Sequence, residues 1–557
     1  MTAPTTIAAA LAAAATTDAG LTVIEHDGRT VARPYASLHP DACALAAGLV
    51  SRGLTPGRRI ALVLPDVDDF IRAFFAVAAA GCIPVPLCPP AQAGDVATFT
   101  RQSRHVVAAA GADAIITSAD VAPLLDVSAL PTTPRVLTLA DLAGADPMAP
   151  VAVSLDDIAL LQFTSGSTAA PKGVVLTGRA LAANIAAILG PRGLNGTSAD
   201  VAVSWLPLYH DMGLIGMLLS SVYQRASAVI MSPVLFLKRP TAWLDAISRY
   251  GGTVSFAPNF AYELCRRRVK PSQIATLDLS RWRIAGCGAE PIRPESLTGF
   301  AEHFASTGFR ASSFMPSYGL AEHALAVTLA HHGIRVDRVN ADRLVRESKA
   351  VPVINGERAV RIVCCGTPFP GHELRIVDDA FATLPERHVG AIAVKGPSLM
   401  AGYYNDTDAT AAVLHDGWLL TGDLGYLANG ELFVCGRTKD LIIRQGRKYH
   451  PPDLESAIAG TDGLPLAGVV VFGITSVEEA DTVVAVLEAR ASAKADDVAS
   501  SARRRVREAA GLELDEVVVT PPGTIPRTTS GKVRRAETRA RFEAGTLLRP
   551  VSLSAEQ

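Results

Sequence analysis

Leu161-Gln162-Phe163-Thr164-Ser165-Gly166-Ser167-Thr168-Ala169-Ala170-Pro171-Lys172-Gly173 is a hydroxyl- and glycine-rich loop that closes a short apolar run, Ile158–Phe163. Glycines at 166 and 173 permit backbone angles closed to other residues, four hydroxyls and free backbone N–H groups can meet anionic oxygens, and Lys172 adds a fixed positive charge. The stretch has the chemistry of a phosphate cradle. The spacing from Gly166 to Lys172 does not fit G-x-x-x-x-G-K-[ST], which excludes a P-loop nucleoside triphosphatase at the motif level. A flexible Ser/Thr/Gly linker would share the composition, but the apolar run before the loop and Pro-Lys-Gly at its end argue for a fixed structure.

Working outward, residues 174–176 continue extended, and Leu181, Ile185 and Ile188 form one apolar stripe of a helix. Upstream, 59–65 reads as a strand, Phe70, Phe74 and Val77 recur at helical spacing, and 83–87 is extended again. The alternation goes on with 98–110 helical and with 114–117 and 135–139 extended, before a connecting loop over 141–157. Downstream, 228–231, 253–256, 283–286 and 312–315 are short apolar runs separated by helix-sized segments. This predicts layered α/β subdomains with largely parallel pairing. From about Gly366 the texture becomes closely spaced strands and turns (374–377, 391–394, 431–434), a β-rich subdomain. The helix, strand and helix signals after 440 look self-contained, which places a boundary at Thr438-Lys439.

A chain of 557 residues exceeds one typical domain. A net charge of −2 with 49% hydrophobic residues suits a globular enzyme and gives no electrostatic case for nucleic acid. The first twenty residues lack a basic n-region, so an amphipathic or frayed helix is expected there rather than a signal peptide. The most apolar long run, 74–90, is broken by Gly81, Pro84, Pro86, Pro89 and Pro90, which speaks against a membrane span. The eight cysteines contain no C-x-x-C pair, and Cys364 and Cys365 are adjacent, a usage that fits a reducing cytoplasm.

Five further stretches carry chemistry. Ser204 to Gly216 sets His210 between Tyr209 and a glycine-broken apolar run. Gly286-Cys287-Gly288-Ala289-Glu290-Pro291 follows an apolar strand, and its glycines let a flat ring approach the backbone. Tyr318-Gly319-Leu320-Ala321-Glu322 offers an aromatic face and, four residues on, a carboxylate suited to a hard cation. Asp423 lies between Gly422 and Leu424-Gly425, with Arg437 where the β-rich segment ends. Ile525 to Lys532 is a rigid-then-flexible loop that delivers one ammonium before a charged helix.

Taken in order, these motifs resemble the adenylate-forming (AMP-binding) superfamily, over about Pro34 to Arg535. The hydroxyl loop is similar to its TSGSTG-x-PKG signature, with Ala169 where the family usually has Gly. The resemblance implies a large adenylate-forming domain, 1–437, a hinge at 438–439 centred on Lys439, and a small mobile α+β domain, 440–557. It also implies roles. Thr164, Ser165, Gly166, Ser167, Thr168 and Lys172 would hold the phosphates of ATP, Gly288, Ala289, Glu290, Tyr318 and Gly319 would line the adenine, and Asp423 would accept the ribose hydroxyls. Arg437 would contact ribose or phosphate, and Glu322 with Thr168 would hold Mg²⁺. His210 would orient the substrate carboxylate, and Lys532 would bridge that carboxylate and the α-phosphate.

Within the superfamily, 205–216, 257–265 and 318–322 resemble fatty acyl-AMP ligases, Ala321 standing where other branches commonly have Thr. That branch activates a fatty acid with ATP and passes it to an acyl carrier protein of a polyketide synthase or nonribosomal peptide synthetase. The long interval from Glu322 to Gly366 would hold the branch's inserted segment, about 334–363, read as a half-buried hairpin. Gly178-Arg179 and Lys448-Tyr449-His450 depart from the usual pattern. A long-chain acyl-CoA synthetase would share every nucleotide motif, and a non-catalytic lipid- or nucleotide-binding relative would keep the pocket alone.

Overall fold

The computed structural model describes residues 5–90, 96–128, 130, 133–164, 171–331, 333–444, 447–459, 464, 466–474, 482–490, 494–527 and 533–547. Its largest sheet has nine strands. From one edge these are Thr367–Pro368, Ala326–Leu329, Phe314–Gly319, Ile284–Cys287, Val254–Ala257, Val201–Ser204, Ser227–Met231, Gly20–Ile24 and Thr30–Pro34. The six central strands pair parallel and the edges antiparallel. A second, all-parallel sheet carries Ile83–Pro86, Arg59–Val63, Ala114–Thr117 and Arg135–Leu137. Strands buried on both faces read as continuous apolar runs, which is why these were legible. The β-rich part, Glu373 to Arg437, is an antiparallel five-stranded sheet, and beyond it lies a three-stranded sheet flanked by Pro451–Ala459, Ala495–Ala510 and Arg535–Glu543.

Two expected strands need their bounds corrected. The strand expected at 312–315 starts at Phe314, after a 3₁₀ turn at Ala311–Ser313, and runs on to carry Tyr318 and Gly319. The strand at 135 stops at Leu137, because Thr138 and Asp141 form a capping box that starts the helix Leu139–Leu142. The loop then follows. In the inserted segment the expected hairpin forms between Val336–Asn340 and Ala359–Val363, and the apolar stretch 351–354 between them adds one bridge, Val339 with Pro352. A helix, Ala341–Glu347, fills the connection. The hairpin Gly20–Ile24 with Thr30–Pro34 went unread, its outer strand alternating between exposed and half-buried positions.

The nine-stranded sheet is covered on one side by a cluster of aromatic side chains. Trp205 stacks on Phe236 at 3.9 Å between centroids, and Trp243, Tyr262, Trp282 and Phe300 meet edge to face around them. Two members also make polar bonds. The Trp243 indole donates to Ser255 Oγ (2.9 Å), and Tyr262 Oη donates to Gly286 O (2.7 Å), which ties the helix Asn259–Arg268 to the strand leading into Gly288.

At the N-terminal ends of three parallel strands, Asp200 accepts two bonds from Arg283 (2.9 and 2.7 Å), one from Thr253 Oγ1 (2.7 Å) and one from Thr197 N (2.8 Å). Burial pushes this carboxyl up, but Arg283, the Thr197 amide and the Thr253 hydroxyl outweigh it and hold the pKa at about 2, against 3.8 for an ordinary Asp. A depressed carboxyl stabilises the fold above its unfolded pKa and loses that contribution as pH falls through the folded one. We expect Asp200→Asn to cost about 1–2 kcal/mol at neutral pH, discounted because Arg283 is partly solvated. Thermal melts should show the gap between wild type and variant closing between pH 4 and pH 2; a gap independent of pH would mean that the ion pair is not its source.

Candidate functional site

Strand Gly173–Thr177 pairs antiparallel with Ile158–Phe163, so the hydroxyl loop is the turn of a hairpin. Thr164 N donates to Lys172 O (3.1 Å) at the mouth of that turn. Ser165, Gly166, Ser167 and Thr168 lie outside the described residues. Gly173 is needed at its end, since a Cβ there would come within 2.8 Å of the Phe163 ring.

The other edge of Gly173–Thr177 pairs with Gly402–Tyr403, which brings Tyr403 to the loop. Its hydroxyl donates to Glu322 Oε1 (2.8 Å), and Lys172 Nζ sits 4.8 Å from the centre of its ring. Tyr403 therefore joins the predicted cation-holding carboxylate to the predicted phosphate-binding ammonium. Glu322 is set by its backbone as well, Met400 N donating to its carbonyl (2.9 Å). Sequence reading missed Tyr403, whose only mark was a Tyr-Tyr pair in a polar stretch.

Tyr318 is buried, and its hydroxyl donates to Asp423 Oδ2 at 2.8 Å. Asp423 and Arg437 face each other across adjacent strands, with Nε 3.2 Å from Oδ1. Burial raises the Asp423 carboxyl above its ordinary range, with Arg437 and Tyr318 opposing. Burial and the Asp423 charge push the Tyr318 phenol well up, so it stays a donor. Lys439, two residues past Arg437, is lowered by burial and by the Arg437 charge.

Gly288 cannot be replaced without conflict, because a Cβ would lie 2.5 Å from Ser317 Oγ. Ala289 has a left-handed backbone (φ 69°) and is exposed, and Glu290 Oε1 accepts from Phe260 N (2.7 Å). In this structure Glu290 anchors the first turn of the helix Asn259–Arg268. Gly319 is equally constrained, a Cβ falling 2.0 Å from Leu325 O.

His210 Nδ1 lies 2.5 Å from Asp211 Oδ1, and Asp211 also caps a π-helix, Met212–Leu219, by accepting from Met212 N (2.7 Å). Single-turn π geometry recurs at functional sites. Gln162 Nε2 donates to Tyr209 O (2.9 Å), tying this block to the strand before the hydroxyl loop. Asn184 and His323 were also missed. Asn184 exchanges two bonds with Ala326 (2.8 and 3.0 Å), and buried His323 contacts Ala326 O (3.0 Å), its pKa lowered to about 4 by burial first and by His372 second. Together they brace the Glu322 loop, where Ala324 has a φ of 58°.

Lys532 lies outside the described residues, but its flanks are held. Buried Glu488 accepts from Gly523 N (2.9 Å), Ile525 N (2.8 Å) and Arg527 (3.2 Å). Beyond 532, Arg535 binds Asp440 (2.8 Å) and Glu455 (2.7 Å). Arg527 and Val533 pair in an antiparallel bridge that closes the base of the segment.

The model of the family described as "AMP-binding enzyme" matches residues 11–404. The chain belongs to the AMP-binding enzyme family. It is 38% identical to a putative acyl-CoA synthetase of Caulobacter vibrioides, over 97% of this chain and 96% of the relative. It is 34% identical to the medium-chain-fatty-acid–[acyl-carrier-protein] ligase JamA of Moorena producens, over 92% and 90%. A solved structure from work on fatty acyl-adenylate ligases of E. coli and L. pneumophila superposes with a TM-score of 0.89 at 38% identity, covering 97% of this chain and 98% of the other. The resemblance to fatty acyl-AMP ligases seen in the motifs is thus matched over the whole AMP-binding fold.

We expect Tyr403→Phe, which keeps the ring over Lys172 and removes the bond to Glu322, to lower kcat/KM for ATP about tenfold, the worth of one hydrogen bond to a charged group. Tyr403→Ala should cost more. Steady-state kinetics of both variants check this; equal losses would assign the effect to the hydroxyl alone, and a Phe variant with wild-type kinetics would assign it to the ring.

Proposed function

We propose that this protein activates a fatty acid with ATP, releasing pyrophosphate, and passes the acyl group from the adenylate to the phosphopantetheine thiol of an acyl carrier protein in a polyketide or nonribosomal peptide lipid pathway. The observation that carries this reading is the convergence of Lys172, Tyr403 and Glu322 with Tyr318, Asp423 and Arg437, drawn from three sheets to the end of the strand Phe314–Gly319. The likeness to the Moorena ligase supports the acceptor. The eight free cysteines suit a cytoplasmic enzyme, and among the described residues no helix is long and apolar enough to cross a membrane.

In the first step a carboxylate oxygen of the fatty acid attacks the α-phosphorus, and the bond to the β-phosphate oxygen breaks. Asp423, aligned by Tyr318 and Arg437, accepts the ribose hydroxyls, while Gly288, Ala289 and Gly319 leave room for the adenine. Lys172 meets the outgoing phosphates. His210, held through Nδ1 by Asp211, turns Nε2 toward the acyl carboxylate as a positioning donor. Lys532 offsets the repulsion between carboxylate and α-phosphate. Glu322 fits a hard cation, because Tyr403 occupies one carboxylate oxygen and leaves the other for ligation. Mg²⁺ there, with Thr168 as a second ligand, would supply charge neutralisation on the phosphates. Removing Lys532 as Lys532→Ala should cut acyl-AMP formation by a hundredfold or more, the order seen for one positioned donor. Fatty-acid-dependent ATP–pyrophosphate exchange measures it; near-normal exchange would remove Lys532 from the mechanism.

For the second step we take Lys439 as the hinge, 1–437 as the large domain and 440–557 as the small one. The inserted segment supports restraint of the small domain. Its strands pack on Tyr426 and Phe433, and its Asp337 accepts from Tyr426 Oη (2.8 Å) and Arg387 (2.9 Å). Its helix Ala341–Glu347 packs Val345 against the small part's core, and the Arg358 guanidinium lies 2.9 Å from where a Cβ on Gly511 would stand. The Caulobacter relative's name favours a second reading with coenzyme A as acceptor. The wild type should load a carrier protein yet form little acyl-CoA, and trimming 334–363 to a short turn should raise acyl-CoA formation without loss of adenylation. Efficient acyl-CoA synthesis by the intact protein would select the second reading.

A further inference from the structure

The helix Asn259–Arg268 joins the nucleotide site to a basic surface. Its first turn is held by Glu290 and its middle by the bond from Tyr262 to Gly286 O. Its last turn is Arg266-Arg267-Arg268, followed by Lys270, all four exposed. Arg267 crosses to the small part, donating to Leu466 O (3.3 Å). Leu466 pairs with Ala489, so exposed Arg490 follows at the same edge, and Arg527 reaches the neighbouring Ala467 O (3.4 Å). Six cationic side chains thus gather where the two parts meet, beside the segment that leads to Lys532.

Little acid answers them. Glu263 is shared between Arg266 and Arg267, and Glu488, 2% exposed, lies beneath Arg527. Arg268, Lys270 and Arg490 form no ion pair with a described residue. In a chain with a net charge of only −2, such a one-signed patch is a local feature. Its distance from the chemistry is also informative. A ten-residue helix spans about 15 Å. A phosphopantetheine arm of about fourteen bonds, each advancing roughly 1.3 Å, spans on the order of 18 Å.

We propose that the patch formed by Arg266, Arg267, Arg268, Lys270, Arg490 and Arg527 is the docking surface for an acyl carrier protein that presents acidic side chains around its phosphopantetheine, so that the arm runs along the helix Asn259–Arg268 to the acyl-adenylate. The proposal rests on the reading that the acceptor is a carrier protein. Charge complementarity of this kind acts on encounter and register more than on the chemical step, and it weakens with salt.

The test is the triple variant Arg268→Glu, Lys270→Glu, Arg490→Glu in the full chain, with an acidic holo-acyl carrier protein as acceptor. Fatty-acid-dependent ATP–pyrophosphate exchange and acyl transfer to free pantetheine should stay within twofold of wild type. The kcat/KM for the carrier should fall at least tenfold through KM, and its decline with added salt should flatten. The milder pair Arg268→Gln, Lys270→Gln should give an intermediate loss if the triple variant folds poorly. Unchanged carrier kinetics overturn the proposal, and so does a parallel loss with pantetheine. Binding of anionic vesicles or DNA that is lost in the variant while carrier loading stays intact would give the patch to another partner. A wild type that forms acyl-AMP but loads no carrier defeats the acceptor reading itself, and the docking surface with it.

Discussion

A carboxylate buried as Asp423 is must be met by donors, or it protonates and loses its use. Tyr318 and Arg437 meet it, one from the nine-stranded sheet and one from the neighbouring strand of the β-rich sheet. That requirement ties together two sheets that already share a hydrophobic cluster, Val327 and Ile230 of one with Ile392 and Leu419 of the other. Tyr318 reaches Asp423 only because Phe314–Gly319 runs on past the buried face of its sheet, and Gly319 lets Leu325 O approach where any Cβ would collide. The same approach turns the chain toward Glu322. One buried ion pair therefore fixes Asp423 and the strand that leads to Glu322, the residues proposed for the ribose and the cation.

The hydroxyl loop depends on the matching constraint at the other side. Its flanking strands, Ile158–Phe163 and Gly173–Thr177, form a hairpin to which Gly402–Tyr403 adds a third strand. Tyr403 then links Glu322 by its hydroxyl and Lys172 by its ring, so the groups proposed to hold the cation and the phosphates are spaced by one side chain. Such pre-spacing is where a ligase gains rate, since the groups need not reorganise as charge moves to the leaving pyrophosphate.

Much of this was legible before any coordinates. Arg59–Val63, Ile83–Pro86 and Ala114–Thr117 are buried along their length, so their apolar runs stood out, and the three stripe residues Leu181, Ile185 and Ile188 are buried as expected. Local chemistry also marked Asp423 and Glu322. What could not be read was long-range pairing. Tyr403 acts only through the register of Gly402 with Val175, and Asn184 acts on Ala326 from across the sheet. The inserted segment was legible in part for a related reason. Residues 351–354 have a strand's composition, but they give Val336–Asn340 only one bridge, at Pro352, which has no N–H with which to extend a ladder.

The described flanks of the segment that carries Lys532 are fixed from both sides. Glu488 gathers two backbone amides and Arg527 on one side, and on the other half-buried Arg535 is neutralised by Asp440 and Glu455. Both anchors belong to the part of the chain beyond Arg437. Asp440 stands directly after Lys439, so the clamp on Arg535 ties the Lys532 segment to the first residue past the proposed hinge. Every partner in the clamp comes from that part, so its geometry needs no contact with residues before Arg437.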